Sequence, residues 1–356
     1  MKILILGGTR FLGRHLTTSA LEHNHEVTLF NRGNYEPPSG VESIIGDRKR
    51  DLAQLKHRHW DVVIDTSGHL PRDVNATAKA LADSVELYIF ISSQSVYSDV
   101  SEVGVAENAP VKTLAQEQLA HAESLDSSSN SSAVNYGQLY GGLKALCEQV
   151  AEEAMPGRVL NIRPGLIVGP DDYSDRFTYW VVRVNRGGEL LAPAPADRPI
   201  QFIDVRDLAD WIVGMSEAKQ SGIYNANGLP DRVTMKMFLE ECSLASSSKV
   251  LFTWVSEKFL IDEQVGAWSE LPLWLPVDIA PQLKGFMFID TSKAVAKGLV
   301  FRPLQATVQD TLAWYMANHS DLSGDLNAGL NANREQLLLE KWRGESPTSS
   351  TTPITS

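Results

Sequence analysis

The sequence predicts an α/β protein with a doubly wound parallel sheet and a smaller C-terminal lobe. Two observations predict this class. Short apolar runs alternate with amphipathic segments over residues 3–162, and the first run leads directly into a glycine-containing turn and a helix. Crossover helices cover both faces of a parallel sheet, so this alternation favours parallel strands. A chain of 356 residues is long enough for such a core and an additional lobe.

The N-terminal stretch has the order strand, glycine loop, helix. Residues 3–6 form an apolar run of strand length, Gly7 and Gly8 follow, and Gly13 lies in the first turn of a helix predicted over residues 12–22. Glycines let the backbone turn sharply and approach a pyrophosphate, and the helix N-terminus offers N–H groups to phosphate oxygens. The stretch predicts a dinucleotide site, although an ordinary strand-to-helix turn would give the same pattern. Arg10 stands where the usual pattern has its middle glycine.

The following segments continue the alternation. Strands are predicted over residues 25–30, 42–45, 60–65, 87–92 and 158–162, and helices over residues 75–83 and 136–154. The carboxyl ends of parallel strands meet at one edge of a sheet, where ligands bind. Polar residues that directly follow these strands are therefore candidates for the functional site.

The pattern becomes less regular in the second half of the chain. We predict a dinucleotide-binding core over residues 1–168 and a substrate lobe over residues 169–318, with a strand at 201–207 and the segment 201–215 returning to the core. A C-terminal helix is predicted within residues 319–343, over 331–342. Serine-rich residues 124–132 predict a loop, and residues 344–356 predict a disordered tail.

Composition narrows the functional classes. The formal net charge of −12 disfavours nucleic acid and anionic membranes as partners, and no apolar run reaches membrane-spanning length. Only Cys147 and Cys242 are present, so a disulfide framework is not expected and a reducing, cytoplasmic location is favoured. The eight histidines show no zinc-ligand spacing on a helix, so no metal site is predicted.

Three residues form the candidate catalytic set. Tyr140 and Lys144 are four apart on a predicted helix and share one face. A tyrosine pKa, ordinarily about 10, must fall to near neutrality for acid/base work, and a neighbouring ammonium favours that fall. Ser93 follows a predicted central strand, where its hydroxyl would hold a substrate oxygen. A core tyrosine, a solvated lysine and a turn-capping serine would give the same pattern.

The residues after the second strand suggest which dinucleotide is bound. A carboxylate in this region usually binds the adenosine ribose hydroxyls of NAD. Asn31 and Arg32 stand there instead, which removes repulsion toward a 2′-phosphate and adds a guanidinium partner. Arg10 is a second candidate partner. We therefore predict NADP as the preferred cofactor. NAD is the alternative, and in that case Arg32 would be only a turn residue.

The motifs, taken in order, resemble the extended short-chain dehydrogenase/reductases, in the NAD-dependent epimerase/dehydratase group. They are Gly7 to Gly13, Asp47, Thr66-Ser67-Gly68, Ser93-Gln94-Ser95-Val96-Tyr97, Tyr140-Gly-Gly-Leu-Lys144 and Arg163-Pro164. Residues 201–209 and 290–303 are similar to later segments of the family, so the resemblance covers about residues 1–318. The form of the glycine loop is closer to a subgroup that includes plant chloroplast stem-loop-binding proteins.

The resemblance implies a Rossmann-type fold and a role for each matched position. Tyr140 would be the catalytic acid/base, Lys144 would bind the nicotinamide ribose and lower the tyrosine pKa, and Ser93 would be the third catalytic residue. The pyrophosphate loop would comprise Gly7, Gly8, Thr9, Arg10, Phe11, Leu12 and Gly13. Other cofactor contacts would come from Asn31, Arg32, Asp47, Thr66, Ser67, Gly68, Lys144, Arg163 and Pro164.

The predicted substrate is a small molecule, and a sugar-like compound is one candidate. Candidate substrate-binding residues are Ser93, Gln94, Ser95, Leu166, Arg176, Tyr179 and Gln201, with Trp180 and Arg183 beside them. The nucleotide-sugar epimerases of the family place an asparagine where Leu166 stands, which argues against a UDP- or dTDP-sugar. Dehydratases usually have carboxylates near the position of Ser93, where this chain has Gln94 and Ser95. Reduction and epimerisation therefore both remain open.

Two other functional classes remain alternatives to an enzyme. Arg48, Lys49, Arg50, Lys56 and Arg58 form a modest basic cluster that an RNA-binding protein would use. A dinucleotide-sensing regulator would bind the cofactor without turnover. Family members often pair through long helices, so the helix that carries Tyr140 makes a homodimer a further expectation.

Overall fold

The structure is a computed structural model that describes residues 1–125, 136–228, 233–319, 324 and 326–345. Within those residues the chain forms two compact units. The described residues of Met1–Asp172, Gln201–Arg232 and Pro281–Pro303 form the first unit, and those of Tyr173–Ile200, Val233–Ala280 and Leu304–Ser356 form the second.

The described elements alternate through the first half of the chain as predicted. The strands are β1 (Lys2–Leu6), β2 (Glu26–Asn31), β3 (Glu42–Ile45), β4 (Trp60–Asp65), β5 (Val85–Ile91), β6 (Val159–Pro164), β7 (Leu166–Val168), β8 (Gly188–Pro193), β9 (Phe202–Asp204), β10 (Gly222–Ala226) and β11 (Val250–Val255). The helices are α1 (Phe11–Glu22), α2 (Pro71–Leu81), α3 (Gln116–Leu125), α4 (Tyr140–Ala154), α5 (Thr178–Arg186), α6 (Val205–Glu217), α7 (Met235–Ala245), α8 (Glu257–Asp262), α9 (Ser292–Val295), α10 (Leu304–Asn318) and α11 (Ala332–Glu345). None of these described helices is long and apolar enough to cross a membrane.

The first unit is built on a seven-stranded parallel sheet of Rossmann type, with strand order β10-β6-β5-β4-β1-β2-β3. β1 pairs with β2 on one side and with β4 on the other, so the strand order reverses beside β1. Ligands bind at the carboxyl ends of strands at such a reversal. The loops after β1, β4 and β5 therefore mark the edge where the predicted site lies.

Helices cover both faces of this sheet because its strands are apolar on both sides. Ile3 and Ile5 of β1 pack with apolar residues of α1 and α6 on one face. Leu4 and Leu6 point the other way and pack with apolar residues of α2 and α4. All four are at most 1% exposed. This two-sided burial is what makes the strand a continuous apolar run in the sequence.

The second unit has a smaller architecture of its own. β8 and β11 form a parallel two-stranded sheet. Around it, α5, α7 and α10 pack on one another through buried aromatic residues, among which the rings of Phe177 and Phe238 stack with centroids 4.6 Å apart. Trp180 and Trp274, which lie in this irregular part of the sequence, are at most 1% exposed and are core residues.

The structure corrects part of the predicted element pattern. Strands β3 and β4 coincide with the predicted ranges, and helix α2 begins earlier than predicted, at Pro71. The predicted strand over residues 201–207 is wrong. Only Phe202–Asp204 is extended, and α6 begins at Val205 because the side chain of Asp204 accepts from the Arg206 N–H and caps the helix.

Residues 201–215 do return to the first unit, but their short strand does not join the large sheet. β9 pairs with β7 in a separate two-stranded sheet, and the strand that extends the large sheet is β10, next to β6. The first unit extends to Asp172 and includes Pro281–Pro303, compared with the predicted core boundary at residue 168. The C-terminal helix is α11, and the predicted loop beyond residue 125 and the tail beyond residue 345 lie outside the described residues.

Candidate active site

The glycine loop after β1 is a close-packed turn that only glycine permits. Gly7 and Gly8 have φ values of +105° and +86°, in the left-handed region that other residues avoid. A Cβ atom on Gly13 would lie 2.7 Å from the Cα of Gly8, so helix α1 is pressed against the loop. The loop therefore has the tight turn and the close helix approach that a pyrophosphate cradle requires. Thr9 and Arg10 complete the connection into α1, which begins with Phe11 and Leu12.

Strand ends around this loop are tied to one another. The Thr66 hydroxyl donates to the Leu6 carbonyl oxygen at 2.8 Å, and the Gly7 N–H donates to the Phe30 carbonyl at 2.9 Å. A Cβ atom on Gly7 would lie 2.6 Å from the Thr66 Oγ1. The predicted segment Thr66-Ser67-Gly68 thus lies directly beside the glycine loop.

Lys144 is a buried lysine held at the same edge. Its Nζ atom donates to the carbonyl oxygens of Gly68 and Ile91, each at 2.7 Å, and the residue is 3% exposed. Burial lowers its pKa to about 8. The Nζ atom lies 5.9 Å from the centroid of the Tyr140 ring and 4.6 Å from that of Phe90. The amino group therefore connects the ends of β4 and β5 to the tyrosine at the start of α4.

Ser93 and Tyr140 belong to segments that are in direct contact. Ser93 begins a short 3₁₀ turn, and its Oγ accepts from the Ser95 N–H at 3.1 Å. A Cβ atom on Gly141 would lie 2.0 Å from the Ser95 carbonyl oxygen, so only glycine fits next to Tyr140. Ser93 and Tyr140 are both partly exposed. The start of α4 and the Ser93 turn thus bring the predicted catalytic residues to one sheet edge.

A buried ion pair that the sequence does not reveal supports the loop after β4. Arg48 donates to both carboxylate oxygens of Asp65, at 2.9 and 2.8 Å, and the Tyr88 hydroxyl donates to Asp65 at 2.7 Å. Asp65 also accepts from the Ser67 N–H at 3.0 Å. Burial raises the pKa of Asp65, but Arg48 more than offsets this, so the pKa lies below its usual value. The network fixes the turn that presents Gly68 to Lys144.

His69 follows this turn and is a second feature not predicted from the sequence. Its Nδ1 atom is enclosed and has no hydrogen-bond partner among the described residues. Burial, reinforced by the charge of Lys144, lowers the pKa of His69 to about 3, so the imidazole is neutral at pH 7. Its ring centroid lies 6.3 Å from that of Tyr136. A neutral imidazole adds no further positive charge beside Lys144.

The predicted adenosine end lies at the ends of β2 and β3. The Asn31 side chain donates to Ser43 Oγ at 3.1 Å and accepts from the Gly33 N–H at 2.8 Å, which fixes the turn carrying exposed Arg32. The guanidinium carbon of Arg10 lies 4.8 Å from the Tyr35 ring centroid. Asp47 accepts from the Lys49 N–H at 3.0 Å and remains partly exposed.

Several other predicted site residues are engaged within the first unit. Arg163 is 3% exposed and donates to both carboxylate oxygens of Glu148, at 2.9 and 2.6 Å, so only the backbone of Arg163 and Pro164 is left for a cofactor. The Gln201 amide bonds to the backbone of Gly228 and Ile289. Leu166 is 5% exposed within β7. Gln94 is 5% exposed, and its Oε1 atom has no partner among the described residues.

The candidate substrate residues of the second unit are mainly packing residues there. Tyr179 and Trp180 are at most 2% exposed, and the Trp180 indole donates to the Pro272 carbonyl at 2.9 Å. Arg183 forms an ion pair with Glu335, in which Arg183 Nε lies 2.6 Å from Glu335 Oε2. Arg176 is partly exposed and lies 5.9 Å from the Trp268 ring centroid. Their contact with substrate stays a prediction.

Three of the five residues of the basic cluster have acidic partners. Arg48 is turned inward to Asp65, and Arg58 forms an ion pair with Glu42. A guanidinium nitrogen of Arg50 lies 3.6 Å from a carboxylate oxygen of Asp47. Phosphate binding needs cations that are not already neutralised, so the arrangement weakens the RNA-binding alternative.

The chain has a Rossmann-type fold, and the residues that resemble those of the short-chain dehydrogenase/reductases lie at one edge of its sheet. A model of the NAD dependent epimerase/dehydratase family matches residues 3–226. The chain belongs to this family.

Comparisons with individual proteins agree with this family. The chain is 27% identical over 249 residues to the chloroplast stem-loop binding protein of 41 kDa b from Arabidopsis thaliana, covering 64% of this chain and 58% of that protein. It is 30% identical over 190 residues to a 2-alkyl-3-oxoalkanoate reductase of Stenotrophomonas maltophilia (strain K279a), covering 48% of this chain and 52% of that protein. The matches thus span little more than half the length of these relatives.

Solved structures show the same fold at low sequence identity. The UDP-glucuronic acid 4-epimerase from Bacillus cereus, in complex with NAD, has a TM-score of 0.64 at 15% identity, covering 90% of this chain and 97% of that chain. The UDP-N-acetylglucosamine 4-epimerase from Bacillus cereus has a TM-score of 0.63 at 16% identity, covering 90% of this chain and 98% of that chain. These similarities establish the extended fold.

Proposed function

We propose that this protein is an NADP(H)-preferring reductase that transfers hydride to a carbonyl carbon of a small, hydroxyl-bearing substrate, with Tyr140 as the proton donor. The observation that carries the proposal is the placement of Lys144. Its buried amino group is fixed by the Gly68 and Ile91 carbonyls, 5.9 Å from the Tyr140 ring centroid. A lysine placed only for stability would not need to be buried beside a partly exposed tyrosine.

The first unit fits a dinucleotide. A side chain at Gly7 or Gly13 would occupy the space in and around the glycine loop. The loop after β4 packs against the glycine loop. The N–H groups of Gly8 to Leu12 and the start of α1 would hold the pyrophosphate. NADPH, when bound, supplies a hydride from C4 of its nicotinamide and is thereby oxidised to NADP⁺.

The chain's own residues would handle the proton. Tyr140 donates its hydroxyl proton to the substrate oxygen as that oxygen gains charge, and the Lys144 ammonium stabilises the phenolate that remains. The Ser93 hydroxyl donates a hydrogen bond to the same oxygen. Two of the three N–H groups of Lys144 bond to carbonyls, which leaves one for a ribose hydroxyl of the cofactor.

The preference for NADP(H) rests on Asn31 and Arg32. Asn31 is a neutral amide whose bonds hold the turn, and Arg32 follows on the exposed side. A 2′-phosphate meets no carboxylate at this position and can bond to a guanidinium. Arg10, beside Tyr35, supplies a second positive charge near the glycine loop.

Reduction is favoured over epimerisation by two observations. The curated relative with a named activity is a reductase, at 30% identity. Buried Leu166 stands where the nucleotide-sugar epimerases that the chain resembles have a polar asparagine. Epimerisation is the second candidate because solved neighbours with this fold are epimerases that act on UDP-sugars.

The test is a titration of purified protein with NADPH and NADH, followed by nicotinamide fluorescence and calorimetry. We expect NADPH to bind at least about tenfold more tightly, and Arg32→Ser to weaken NADPH but not NADH binding by about tenfold, or 1.4 kcal/mol. Lys56→Ser removes an exposed charge of the same sign and serves as the control. A carbonyl-substrate screen with NADPH oxidation as readout then tests turnover.

Each outcome bears on a different part of the proposal. Preference for NADH would overturn the cofactor assignment and raise the epimerase alternative. Binding of neither cofactor by protein shown to be free of co-purified nucleotide would overturn the enzyme proposal. An electrophoretic shift with RNA at moderate salt would then support the alternative suggested by the name of the Arabidopsis relative.

A further inference from the structure

Three potential metal ligands converge on the first unit, away from the glycine loop. His23 Nδ1 and His25 Nε2 each lie 3.0 Å from the same oxygen, Oε1 of Glu217. One ligand atom from each of the three residues lies within 4.8 Å of the others. Among the described residues, this is the only group of three such ligands. The sequence alone does not indicate it, because Glu217 is 192 residues from His25.

The backbone holds both imidazoles on the same side. Helix α1 ends at Glu22, and the N–H groups of His23 and His25 donate to the Ser19 and Ala20 carbonyls at 3.0 and 2.9 Å. Asn24, between the histidines, has a φ of +60°, so the chain reverses there and turns the two side chains to one carboxylate. The ligands therefore stand on a hydrogen-bonded turn.

Glu217 is equally well supported. It is the last residue of α6, and α6 packs against α1 along the same face of the sheet. The Ala218 N–H donates to the Gly214 carbonyl at 3.0 Å and closes the helix. The carboxylate thus approaches the histidine turn from a second rigid element, as a preorganised site requires.

The distances suit a small divalent cation. Zinc binds histidine nitrogen and carboxylate oxygen at about 2.0–2.2 Å, so ligand atoms in a tetrahedral site are about 3.4 Å apart. The two present separations of 3.0 Å need only a small opening to admit the ion. Two imidazoles and one carboxylate form a ligand set that borderline cations such as Zn²⁺ prefer over Mg²⁺ or Ca²⁺.

We propose that His23, His25 and Glu217 bind Zn²⁺, with water in the fourth position, and that the ion fastens the end of α1 to the end of α6. The His25 side chain is 9% exposed, whereas His23 and Glu217 are each 42% exposed, so the ion enters from solvent. The His25 Nδ1 atom, on the opposite side of its ring from the ligand nitrogen, lies 3.2 Å from the Met1 amino group.

The site is structural. The glycine loop precedes the first turn of α1, and the ligands follow its last turn, so the 12-residue helix separates them by about 18 Å. Bound zinc is therefore expected to raise the thermal unfolding temperature and to leave NADPH affinity unchanged.

The chain contains a matched control. His57 and His59 are also two residues apart and exposed, and His57 also has a positive φ, of +65°. Among the described residues, no third histidine, cysteine or carboxylate ligand joins that pair. The double variant His57→Gln/His59→Gln thus removes a histidine pair of the same spacing without touching the proposed site.

The experiment uses chelator-treated protein from which any polyhistidine tag has been removed. Calorimetry with Zn²⁺ at constant pH should give one tight site per chain. Each of His23→Gln, His25→Gln and Glu217→Gln should weaken it by at least about tenfold and abolish the zinc-dependent rise in unfolding temperature. The His57→Gln/His59→Gln protein should bind zinc like the wild type.

The proposal is overturned if the wild-type protein binds no stoichiometric zinc, if Glu217→Gln binds as tightly as the wild type, or if the control variant loses the site. Because the side chains of His23 and Glu217 are each 42% exposed and lie outside the core, their glutamine variants should unfold at the wild-type temperature in the absence of metal. This comparison separates loss of a ligand from loss of the fold.

Discussion

Lys144 and Gly68 are 76 residues apart in the chain, yet the Lys144 Nζ donates to the Gly68 carbonyl oxygen at 2.7 Å. The bond joins the helix that carries Tyr140 to the loop that follows β4. A backbone carbonyl therefore determines where the lysine charge lies, and the position of that carbonyl depends in turn on the Arg48–Asp65 pair beneath it.

Substitution of Tyr140 by phenylalanine should slow turnover strongly while leaving cofactor binding intact. The change removes only the hydroxyl that donates the proton in the proposed mechanism, and general acid catalysis contributes about 10²–10⁴-fold. We expect kcat for carbonyl reduction to fall by that factor and the Kd for NADPH to change by less than about threefold. Tyr173→Phe, at a tyrosine that is 51% exposed, is the control. Equal activity in both variants would remove Tyr140 from the mechanism.

Lys144 should make stability rise with pH in the alkaline range. Its pKa is about 8 in the folded protein and about 10.5 when unfolded, so between these values the unfolded chain holds one proton more. The free energy of unfolding of the cofactor-free protein should therefore increase from pH 8 to pH 10.5, by about 3 kcal/mol from this group.

Urea unfolding of the wild-type protein and Lys144→Met over this pH range measures the difference. Other titrating groups are common to both proteins, so the wild type should gain stability relative to the variant as pH rises. Parallel pH profiles would contradict the assignment of a lowered pKa to Lys144.

Asp65→Asn should destabilise the protein strongly. The substitution leaves the buried Arg48 guanidinium without its counter-charge, which typically costs about 3–5 kcal/mol. It should also weaken NADPH binding because Asp65 holds the Ser67 N–H. Glu42→Gln breaks the half-exposed Arg58 pair and should cost less than about 1 kcal/mol. Urea unfolding and cofactor titration test both; similar losses in the two variants would show that the buried pair has no special role.

Two helical glycines should respond in opposite ways to alanine. Gly141→Ala would place a methyl group 2.0 Å from the Ser95 carbonyl oxygen, so we expect a loss of about 1–3 kcal/mol and reduced kcat. Gly214 in α6 has open space where a Cβ would stand, and Gly214→Ala should stabilise by about 0.5–1 kcal/mol. Thermal unfolding and steady-state kinetics measure these effects; an active, stable Gly141→Ala protein would contradict the close approach of α4 to the Ser93 turn.

The sequence reveals those parts of the fold and site that are local in the chain. The glycine loop is contained in one short segment, and Tyr140 and Lys144 are related by a single helical turn. Strands β3 and β4 coincide with the predicted ranges, and β4 is centred on the apolar run Val62–Ile64. Their detection needs no knowledge of distant partners.

The remaining features depend on contacts between distant segments. β10 was not predicted because polar Asn225 interrupts its apolar pattern, and the Asn225 side chain bonds to the Val105 and Asp290 carbonyls. In the sequence, Arg48 belongs to a basic cluster that would be expected to be exposed. The structure shows instead that Arg48 binds Asp65, the last residue of β4. Which residues contact substrate in the second unit stays a prediction.

The inward-turned Arg48 has a consequence for engineering coenzyme preference. Exchange of the whole loop after β3, which contains Asp47 and Arg48, would remove the guanidinium that binds Asp65. Loss of this ion pair would in turn disturb the loop after β4, at the other end of the proposed cofactor site. Arg32 stands on an exposed turn and has no part in that pair. A redesign toward NAD should therefore alter the turn after β2 and retain the arginine that follows Asp47.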